Sequence, residues 1–338
     1  MNAQSTAPVQ AELAEDAAPA VKEDILSGRD APQQNKKKHK KYRDAVSGLL
    51  MAILPVIGFL LFHFIPQLVS MWLSFQEVHS FDFSMTKFVG FQNFVQVLSD
   101  KIFWLAIGNT LFYMLSRFIC IALALVIAVL LAHKGLRGKK FFRSVFFIPY
   151  VCSVVATTVM WYWIFEEDYG ILNGIFQAMG GPDARVGWLS SEWPFRLTLL
   201  FMLVWSGCGY NTILYQSALA AVDATLYEAA DIDGATSWQK FVHITWPSIM
   251  PTTFFMLVMG IIHSLQAFTT QQIWGGQVGG QGPNQSALTA VYYIYNKAWV
   301  QPAIYGMGYA SAASWILAVL IGTITIINFK LKKRREQL

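Results

Sequence analysis

The fold class is decided by the stretch from Phe103 to Ala132, which reads FWLAIGNTLFYMLSRFICIALALVIAVLLA. It holds a single charged residue, Arg117, among long apolar side chains. About 20 mostly apolar residues in a helix are enough to cross the hydrocarbon core of a bilayer, which is about 30 Å thick. The stretch therefore predicts a transmembrane helix.

Five more apolar runs of comparable length occur along the chain, at residues 45–72, 144–165, 197–221, 248–268 and 305–329. The whole sequence of 338 residues is 55% hydrophobic and only 13% charged, whereas a soluble domain is about 25% charged. These features predict an all-α membrane protein with about six transmembrane helices, whose membrane domain covers residues 45–330.

The polar flanks predict the orientation of the spans. Residues 1–44 carry almost no large apolar side chains, which is typical of a disordered tail, and the tail ends in the basic run Lys36–Arg43. Two further basic clusters lie at residues 134–143 and in the short basic C-terminus, 331–338. Because cytoplasmic flanks are enriched in Lys and Arg, we expect a cytoplasmic tail and a cytoplasmic C-terminus. The basic residues thus favour the bilayer, and not nucleic acid, as the partner of this positively charged chain.

Several functions are disfavoured by what the spans lack. No Asp or Glu lies in the interior of a predicted span, whereas ion-coupled carriers use membrane-embedded carboxylates as relays or ligands. The chain has no G-x-x-x-x-G-K-[ST] phosphate-binding loop, and its three cysteines show no metal-ligand spacing. We therefore expect no catalytic residue, no metal site and no bound ATP in this chain, so any ATP must be hydrolysed by a partner.

The loop between the fourth and fifth runs has the features of a folded element. Asp223 is a good N-cap, and Gly234 can take the left-handed conformation that ends a helix. Thr236 and Gln239 have the spacing of a capping box, and Pro247 is expected to stop the second helix. The pattern predicts two short helices joined by a glycine turn.

The two short helices differ in their side chains. Ala229 and Ala230 are small enough for another surface to approach, and Glu228 offers a carboxylate to a partner's Arg or Lys. On the second helix an apolar stripe is expected to pack on the ends of the membrane helices; it consists of Trp238, Phe241 and Val242. The first helix is therefore the predicted docking element.

The residues from Tyr227 to Ala235, YEAADIDGA, followed by Phe241, Ile244 and Pro247, resemble the E-A-A-x-x-x-G loop of ABC importer permeases. The resemblance implies that this cytoplasmic loop holds the coupling helices, which sit in a cleft of the ATPase subunit. It assigns the coupling role to Glu228, Ala229, Ala230, Asp231 and Gly234.

Other phrases resemble the carbohydrate-uptake branch of that family; they are Phe88–Phe94, Phe141–Ser144, Phe147–Pro149, Trp205–Asn211 and Tyr292–Tyr295. The chain departs from the pattern at Phe268–Ile273, so the resemblance does not identify the sugar. It implies a protein of the bacterial inner membrane. The implied partners are a second permease in a heterodimer, a dimer of ATPase subunits that bind ATP and Mg²⁺, and an extracytoplasmic solute-binding protein.

A sugar needs hydrogen-bonding side chains and aromatic faces. The spans and their ends offer both, at Asn109, Tyr113, Tyr210, Asn211, Tyr215, Gln216, Gln266, Thr269 and Gln271. Asn211 and Tyr215 are four residues apart and share a helix face. Any one of these side chains can instead link helices or belong to the interfacial belt, and that alternative stays open.

Three alternatives to sugar import stay open at this stage. The first is an importer permease for a non-sugar solute, such as glycerol phosphate or another polyol. The second is a stand-alone membrane channel or a secondary carrier; a carrier predicts intramembrane carboxylates and an internal repeat, and the sequence shows neither. The third is a membrane enzyme, which predicts clustered His, Asp, Glu or Cys residues near one interface.

Overall fold

The computed structural model describes residues 48–78, 86–132, 135–181, 183–302 and 306–335. The tail 1–44, with the basic run Lys36–Arg43, and the last residues of the basic C-terminus lie outside the described residues. Within the described ranges the chain is almost wholly helical, as predicted. The helices are α1 (Gly48–Leu73), α2 (Gln92–Ser99), α3 (Lys101–Ala132), α4 (Lys139–Val151), α5 (Val154–Phe165), α6 (Ile171–Gly180), α7 (Glu192–Ala220), α8 (Ala224–Ile232), α9 (Ser237–Lys240), α10 (Trp246–Leu265), α11 (Thr269–Gln277), α12 (Ala290–Tyr295) and α13 (Gly306–Arg335).

Five of the helical runs are long and apolar enough to cross a membrane. They are α1, α3, α7, the run Ser237–Gln277 that contains α9, α10 and α11, and α13. A sixth span is formed if α4 and α5 are counted as one bent helix. The six apolar runs of the sequence therefore correspond to these helices, and the prediction of an all-α membrane protein is confirmed.

The chain divides into two units, residues 1–69 and 70–338. In the first, the helical residues 48–69 present long apolar side chains, such as Met51, Leu54 and Phe62, along their whole length. All the side chains of this stretch are exposed or only partly buried. Such a surface suits contact with lipid. Its apolar side chains need no hydrogen-bond partner, and the backbone groups of a membrane helix bond to one another within the helix.

In the second unit, α3 packs against α7 and α10, and α4 packs against α7. Gly209 permits the closest approach, because a Cβ atom at this position would lie 2.1 Å from the carbonyl oxygen of Phe146 on α4. One apolar cluster joins Ile121 of α3, Tyr215 of α7 and Met256 of α10. These contacts fix the three long helices around a shared interior.

The predicted third span is broken, and this differs from the uninterrupted helix expected at residues 144–165. The helices α4 and α5 meet at an angle of 97°, and the two residues between them, Cys152 and Ser153, have extended backbone. Pro149 lies one turn before the break, and proline weakens a helix because it has no N–H to donate. Broken helices are tolerated at membrane depth where they line a cavity.

A short antiparallel strand pair lies near the start of the second unit. The strands β1 (Gln76–Glu77) and β2 (Lys87–Phe88) pair with Gln76 opposite Phe88. The buried side-chain amide of Asn93 donates hydrogen bonds to the carbonyl oxygens of Ser74, at 3.0 Å, and Gln76, at 2.9 Å. These bonds tie α2 to the strand pair.

The helix that starts at Ser237 does not stop at Pro247, so that prediction was wrong. It continues from α9 through a π-helical turn, Phe241–Thr245, into α10. Proline is tolerated in the first turn of a helix, where its missing N–H needs no partner. Here the π turn ends at Thr245 and α10 begins at Trp246, so Pro247 lies in the first turn of α10. The result is one unbroken helix from Ser237 to Leu265.

Candidate functional site

The predicted helix pair is present between α7 and α10, and we call Asp223–Lys240 the capped segment. The carboxylate of Asp223 accepts a hydrogen bond from the backbone N–H of Thr225, at 2.9 Å, and starts α8. This bond holds the pKa of Asp223 below its usual value, so the cap is ionised at neutral pH. The predicted N-cap is therefore confirmed.

The turn and the second cap are also as predicted. Gly234 has a φ of +73°, and its N–H bonds to the carbonyl oxygen of Asp231. The backbone N–H of Thr236 donates to Oε1 of Gln239, at 2.7 Å, and the N–H of Gln239 donates to Oγ1 of Thr236, at 3.3 Å. Both bonds of the capping box are formed. An ion pair between Lys240 and Asp231 also joins the two helices across the turn.

The capped segment presents an exposed surface. Glu228, Ala229, Asp231 and Gly234 are exposed, and Ala230 is partly buried. Apolar side chains also face outward: Ile232 is 88% exposed and Trp238 is 71% exposed. The apolar stripe was thus wrong for Trp238, which stacks on Phe241 and does not pack on the membrane helices. The carboxylate of Glu228 forms no hydrogen bond or ion pair among the described residues. Exposed apolar residues beside such a carboxylate are features of a surface that binds another protein.

A direct connection runs from the capped segment into the bundle. The hydroxyl of Tyr227 on α8 is 2.8 Å from that of Thr245 in the π turn, and α9 continues into α10 without a break. From Lys240 to Gly260 the helix rises about 30 Å. The second helix of the capped segment and the middle of α10 are therefore parts of one continuous helix, which contains Pro251 between them.

The middle of α10 forms one wall of a cavity with a volume of about 270 Å³. Other walls come from α3, α7, the α4–α5 break and the first turn of α11. Polar side chains in the lining are Arg117, Thr157, Ser206, Asn211, His263 and Thr270, and aromatic ones are Tyr150, Tyr210 and Phe255. Among the described residues no Asp or Glu lines this cavity.

Two of the predicted solute-binding residues, Tyr210 and Asn211, line the cavity. The ring of Tyr210 stacks on Tyr150, with 4.9 Å between the ring centroids and 25° between the planes. Tyr150 lies just before the break that separates α4 and α5. Aromatic faces and an amide at one wall can bind the C–H surfaces and hydroxyl groups of a sugar.

Arg117 lies in the same lining, in the middle of α3. Its side chain passes between two glycines: a Cβ atom at Gly207 would lie 3.1 Å from Nη1, and one at Gly260 would lie 3.4 Å from Cβ of Arg117. The guanidinium makes no hydrogen bond and no ion pair within the part of the chain that is described. A charged residue at the centre of a membrane helix costs about 2.5–3.5 kcal/mol on insertion scales, so this position needs an explanation.

The other predicted candidates lie away from the cavity. The amide of Asn109 donates to the carbonyl oxygens of Gln285, at 2.8 Å, and Leu288, at 2.9 Å. The hydroxyl of Tyr113 donates to the backbone carbonyl oxygen of Ser286, at 3.0 Å. Both side chains tie α3 to the loop before α12. Tyr215 is buried, with its hydroxyl 3.1 Å from Thr253 Oγ1.

The four remaining candidates differ in burial. Gln216 and Gln271 each bury a side-chain nitrogen that has no hydrogen-bond partner among the described residues. Gln266 and Thr269 are exposed and flank the kink between α10 and α11. None of the four lines the cavity, although Thr270, the neighbour of Thr269 and Gln271, does.

Sequence reasoning missed Tyr150, Thr270 and His263 as cavity residues. Tyr150 follows Pro149, and the proline was a signal for irregular backbone there. Thr270 and His263 gave no signal of their own, because membrane helices bury Thr and His for many reasons. No group of three His, Cys, Asp or Glu side chains in the described ranges forms a metal site.

Comparison with known proteins agrees with this architecture. Residues 121–336 match the family "Binding-protein-dependent transport system inner membrane component". The lactose transport system permease protein LacF of Rhizobium radiobacter is 31% identical, over 88% of this chain and 97% of its own length. The sn-glycerol-3-phosphate transport system permease protein UgpA of Agrobacterium fabrum is 30% identical, over 83% of this chain and 92% of its own length.

A solved structure has the same fold. A chain of a bacterial ABC transporter involved in the import of the acidic polysaccharide alginate superposes with a TM-score of 0.70. It is 26% identical and covers 87% of this chain and 99% of its own. The family match extends over more than half of the sequence. The chain is therefore a multi-pass membrane protein that belongs to the family of binding-protein-dependent transport system inner membrane components.

Proposed function

We propose that this chain is one of two permease subunits that form the path of an ATP-driven importer for a sugar or oligosaccharide. The observation that carries the proposal is the unbroken helix from Ser237 to Leu265, which connects an exposed docking segment to the wall of a polar cavity. In this proposal an ATPase subunit holds the capped segment, and its movement on ATP binding moves α10 against α3 and α7.

The chain supplies the conduit and no chemistry of its own. ATP and Mg²⁺ are bound by a dimer of ATPase subunits, and an extracytoplasmic binding protein delivers the solute. Glu228, Ala229, Ala230, Asp231 and Gly234 form the ATPase contact. The family's description names dependence on a binding protein. The basic flanks support a cytoplasmic position for both termini, and the count of spans then puts the capped segment on the same side of the bacterial membrane.

Within the path, we assign solute contact to the cavity residues Tyr210 and Asn211, with Tyr150 beside them. Asn109, Tyr113 and Tyr215 hold the helices in place through the hydrogen bonds described above. The exposed Gln266 and Thr269 stay candidates for a surface that the second permease completes, and Gln216 and Gln271, whose side-chain nitrogens are buried, stay candidates for solute contact. LacF, the lactose permease, and the alginate transporter both carry names that refer to saccharides, which supports a saccharide here.

The test is reconstitution. The chain is purified alone and together with the second permease and the ATPase, and both preparations are placed in proteoliposomes with the binding protein. We expect ATP hydrolysis that the binding protein stimulates in the complete complex, and none in the chain alone. Substantial ATP turnover by the chain alone, or failure of the ATPase to co-purify with it, would contradict the proposal.

A further inference from the structure

The position of Arg117 along α3 excludes the usual way of keeping an arginine in a membrane helix. It lies sixteen residues after the first residue of the helix, Lys101, and fifteen before the last, Ala132. These separations correspond to about 24 Å and 22 Å of helix. Side chains near helix ends extend to the interface, but from this depth the guanidinium stays inside the bundle.

The neighbouring helices leave room for this side chain. Gly207 of α7 faces the guanidinium and Gly260 of α10 faces the stem, at the distances given above. Any larger residue at Gly207 would crowd both Nη1 of Arg117 and Sγ of Cys120, which lie at the same distance. The side chain therefore lies in a groove that two glycines form, and it ends in the cavity lining.

The guanidinium also lacks a counter-charge. Within the described ranges it has no hydrogen-bond or ion-pair partner, and the cavity lining contains no carboxylate. Arginine presents its N–H donors in a planar fork that fits a carboxylate or phosphate group, and it stays charged at all relevant pH values. Beside it are Asn211 and the stacked rings of Tyr150 and Tyr210, which suit the rest of a sugar.

We propose that Arg117 binds an acidic group on the transported solute, so that the importer takes an acidic saccharide, with a carboxylate or a phosphate group. The inference rests on the proposed function, because it needs the solute to pass through this cavity. It names the substrate class from the fixed charge that Arg117 contributes to the lining. The charged solute supplies the counter-ion that the chain itself does not provide among its described residues.

The experiment measures binding to the complete complex of both permeases and the ATPase in nanodiscs, by equilibrium dialysis of labelled probes. Two matched pairs are used: trigalacturonate with its methyl ester, and glucose 6-phosphate with glucose. The variants are Arg117→Gln, which removes the charge, and Arg117→Lys, which keeps the charge without the fork. Arg137→Gln, at an exposed position outside the cavity, is the control.

We expect the wild-type complex to bind the charged member of at least one pair about tenfold more tightly than the neutral member. The pair that shows the preference identifies the acidic group. Arg117→Gln should reduce the preference to less than twofold with the neutral probe unaffected, Arg117→Lys should keep part of it, and Arg137→Gln should keep all of it.

Other outcomes overturn the inference. A wild-type complex with no charge preference, or an Arg117→Gln complex that loses charged and neutral probes equally, shows a packing role. If the Arg117→Gln complex fails to assemble, the Arg117→Lys complex decides. An Arg117→Lys complex that assembles and has lost the charge preference overturns the inference. ATP hydrolysis stimulated by the binding protein is measured in the same preparation. Its absence in the wild type contradicts the proposed function, whereas its presence without charge preference overturns this inference alone.

Discussion

The Nη1 atom of Arg117 lies 3.1 Å from the point where a Cβ atom would stand on Gly207. The two residues belong to α3 and α7, two packed helices that both line the cavity. The same point lies 3.1 Å from Sγ of Cys120. Contacts at this distance are tighter than ordinary van der Waals contacts, so a methyl group at Gly207 must displace the guanidinium, the Cys120 thiol or both by a few tenths of an ångström. The side chain's position in the cavity therefore depends on this glycine.

Gly207→Ala should weaken the binding of charged solutes. Overpacking of this kind costs about 1 kcal/mol, which corresponds to about a fivefold lower affinity. Gly260→Ala is the matched control, because its new methyl group meets only the stem of Arg117, at 3.4 Å. Dialysis of trigalacturonate and glucose 6-phosphate with each complex checks the prediction. Equal affinities of the two variants for the charged probes would show that the guanidinium adjusts freely and would contradict the prediction.

Gly209→Ala should prevent α4 from packing on α7. A Cβ atom there would lie 2.1 Å from the carbonyl oxygen of Phe146, and backbone at this distance cannot adjust as a side chain does. We expect a loss of about 2 kcal/mol or more, within the range for overpacked interiors. Gly108→Ala is the control, since it lies in α3 with no atom within 4 Å of the added methyl group. The thermal midpoint of the purified complex measures both, and a Gly209→Ala midpoint equal to wild type would contradict the packing described here.

Features set by near neighbours in the sequence were predictable. The Asp223 cap, the positive φ of Gly234 and the Thr236–Gln239 capping box each depend on residues within three positions of one another. The structure confirms all three. The number of spans was predictable for the same reason, because the hydrophobic length of a segment is a local property.

Features set by packing between helices were not predictable. Asn211 and Tyr215 share a helix face, yet Asn211 lines the cavity while Tyr215 is buried against Thr253 of α10. The same face of α7 therefore meets the cavity at Asn211 and the surface of α10 at Tyr215. Which residue meets which depends on how α10 packs. The break at Cys152–Ser153 was likewise not predicted: Pro149 indicates irregular backbone nearby, but a proline alone does not show whether a membrane helix bends slightly or breaks.

Gly234→Pro should abolish solute uptake without loss of the protein from the membrane. Proline cannot take a φ of +73°, and it lacks the N–H that bonds to the carbonyl oxygen of Asp231. Gly234→Ala should have a milder effect, a strain of about 1 kcal/mol, because nothing lies within 4 Å of the added methyl group. Uptake by the reconstituted complex and co-purification of the ATPase are the measurements.

Gly279→Ala is the control for that strain. Gly279 also has a positive φ, +65°, and open space around it, but it lies in the loop after α11. It should lower the thermal midpoint about as much as Gly234→Ala and leave the yield of co-purified ATPase unchanged. If Gly234→Pro retains the ATPase and full uptake, the glycine turn has no part in coupling.

Glu228→Arg should remove the ATPase subunit from the complex. Glu228 is exposed on α8 and forms no hydrogen bond or ion pair among the described residues, so its replacement breaks nothing within this chain. If the carboxylate meets basic residues of the ATPase, reversal of its charge puts like charges together, which costs several kcal/mol in a desolvated contact. Glu228→Gln keeps the shape and one acceptor oxygen and should lose only part of the affinity.

Asp183→Arg, an equal charge reversal at an exposed residue in the loop between α6 and α7, should have no effect on the ATPase. The measurements are the amount of ATPase that co-purifies with each variant and the solute uptake of each complex in proteoliposomes. Equal retention of ATPase by Glu228→Arg and Asp183→Arg would show that α8 is an ordinary solvated connection, and the assignment of an ATP-driven importer would lose its mechanical basis in this chain.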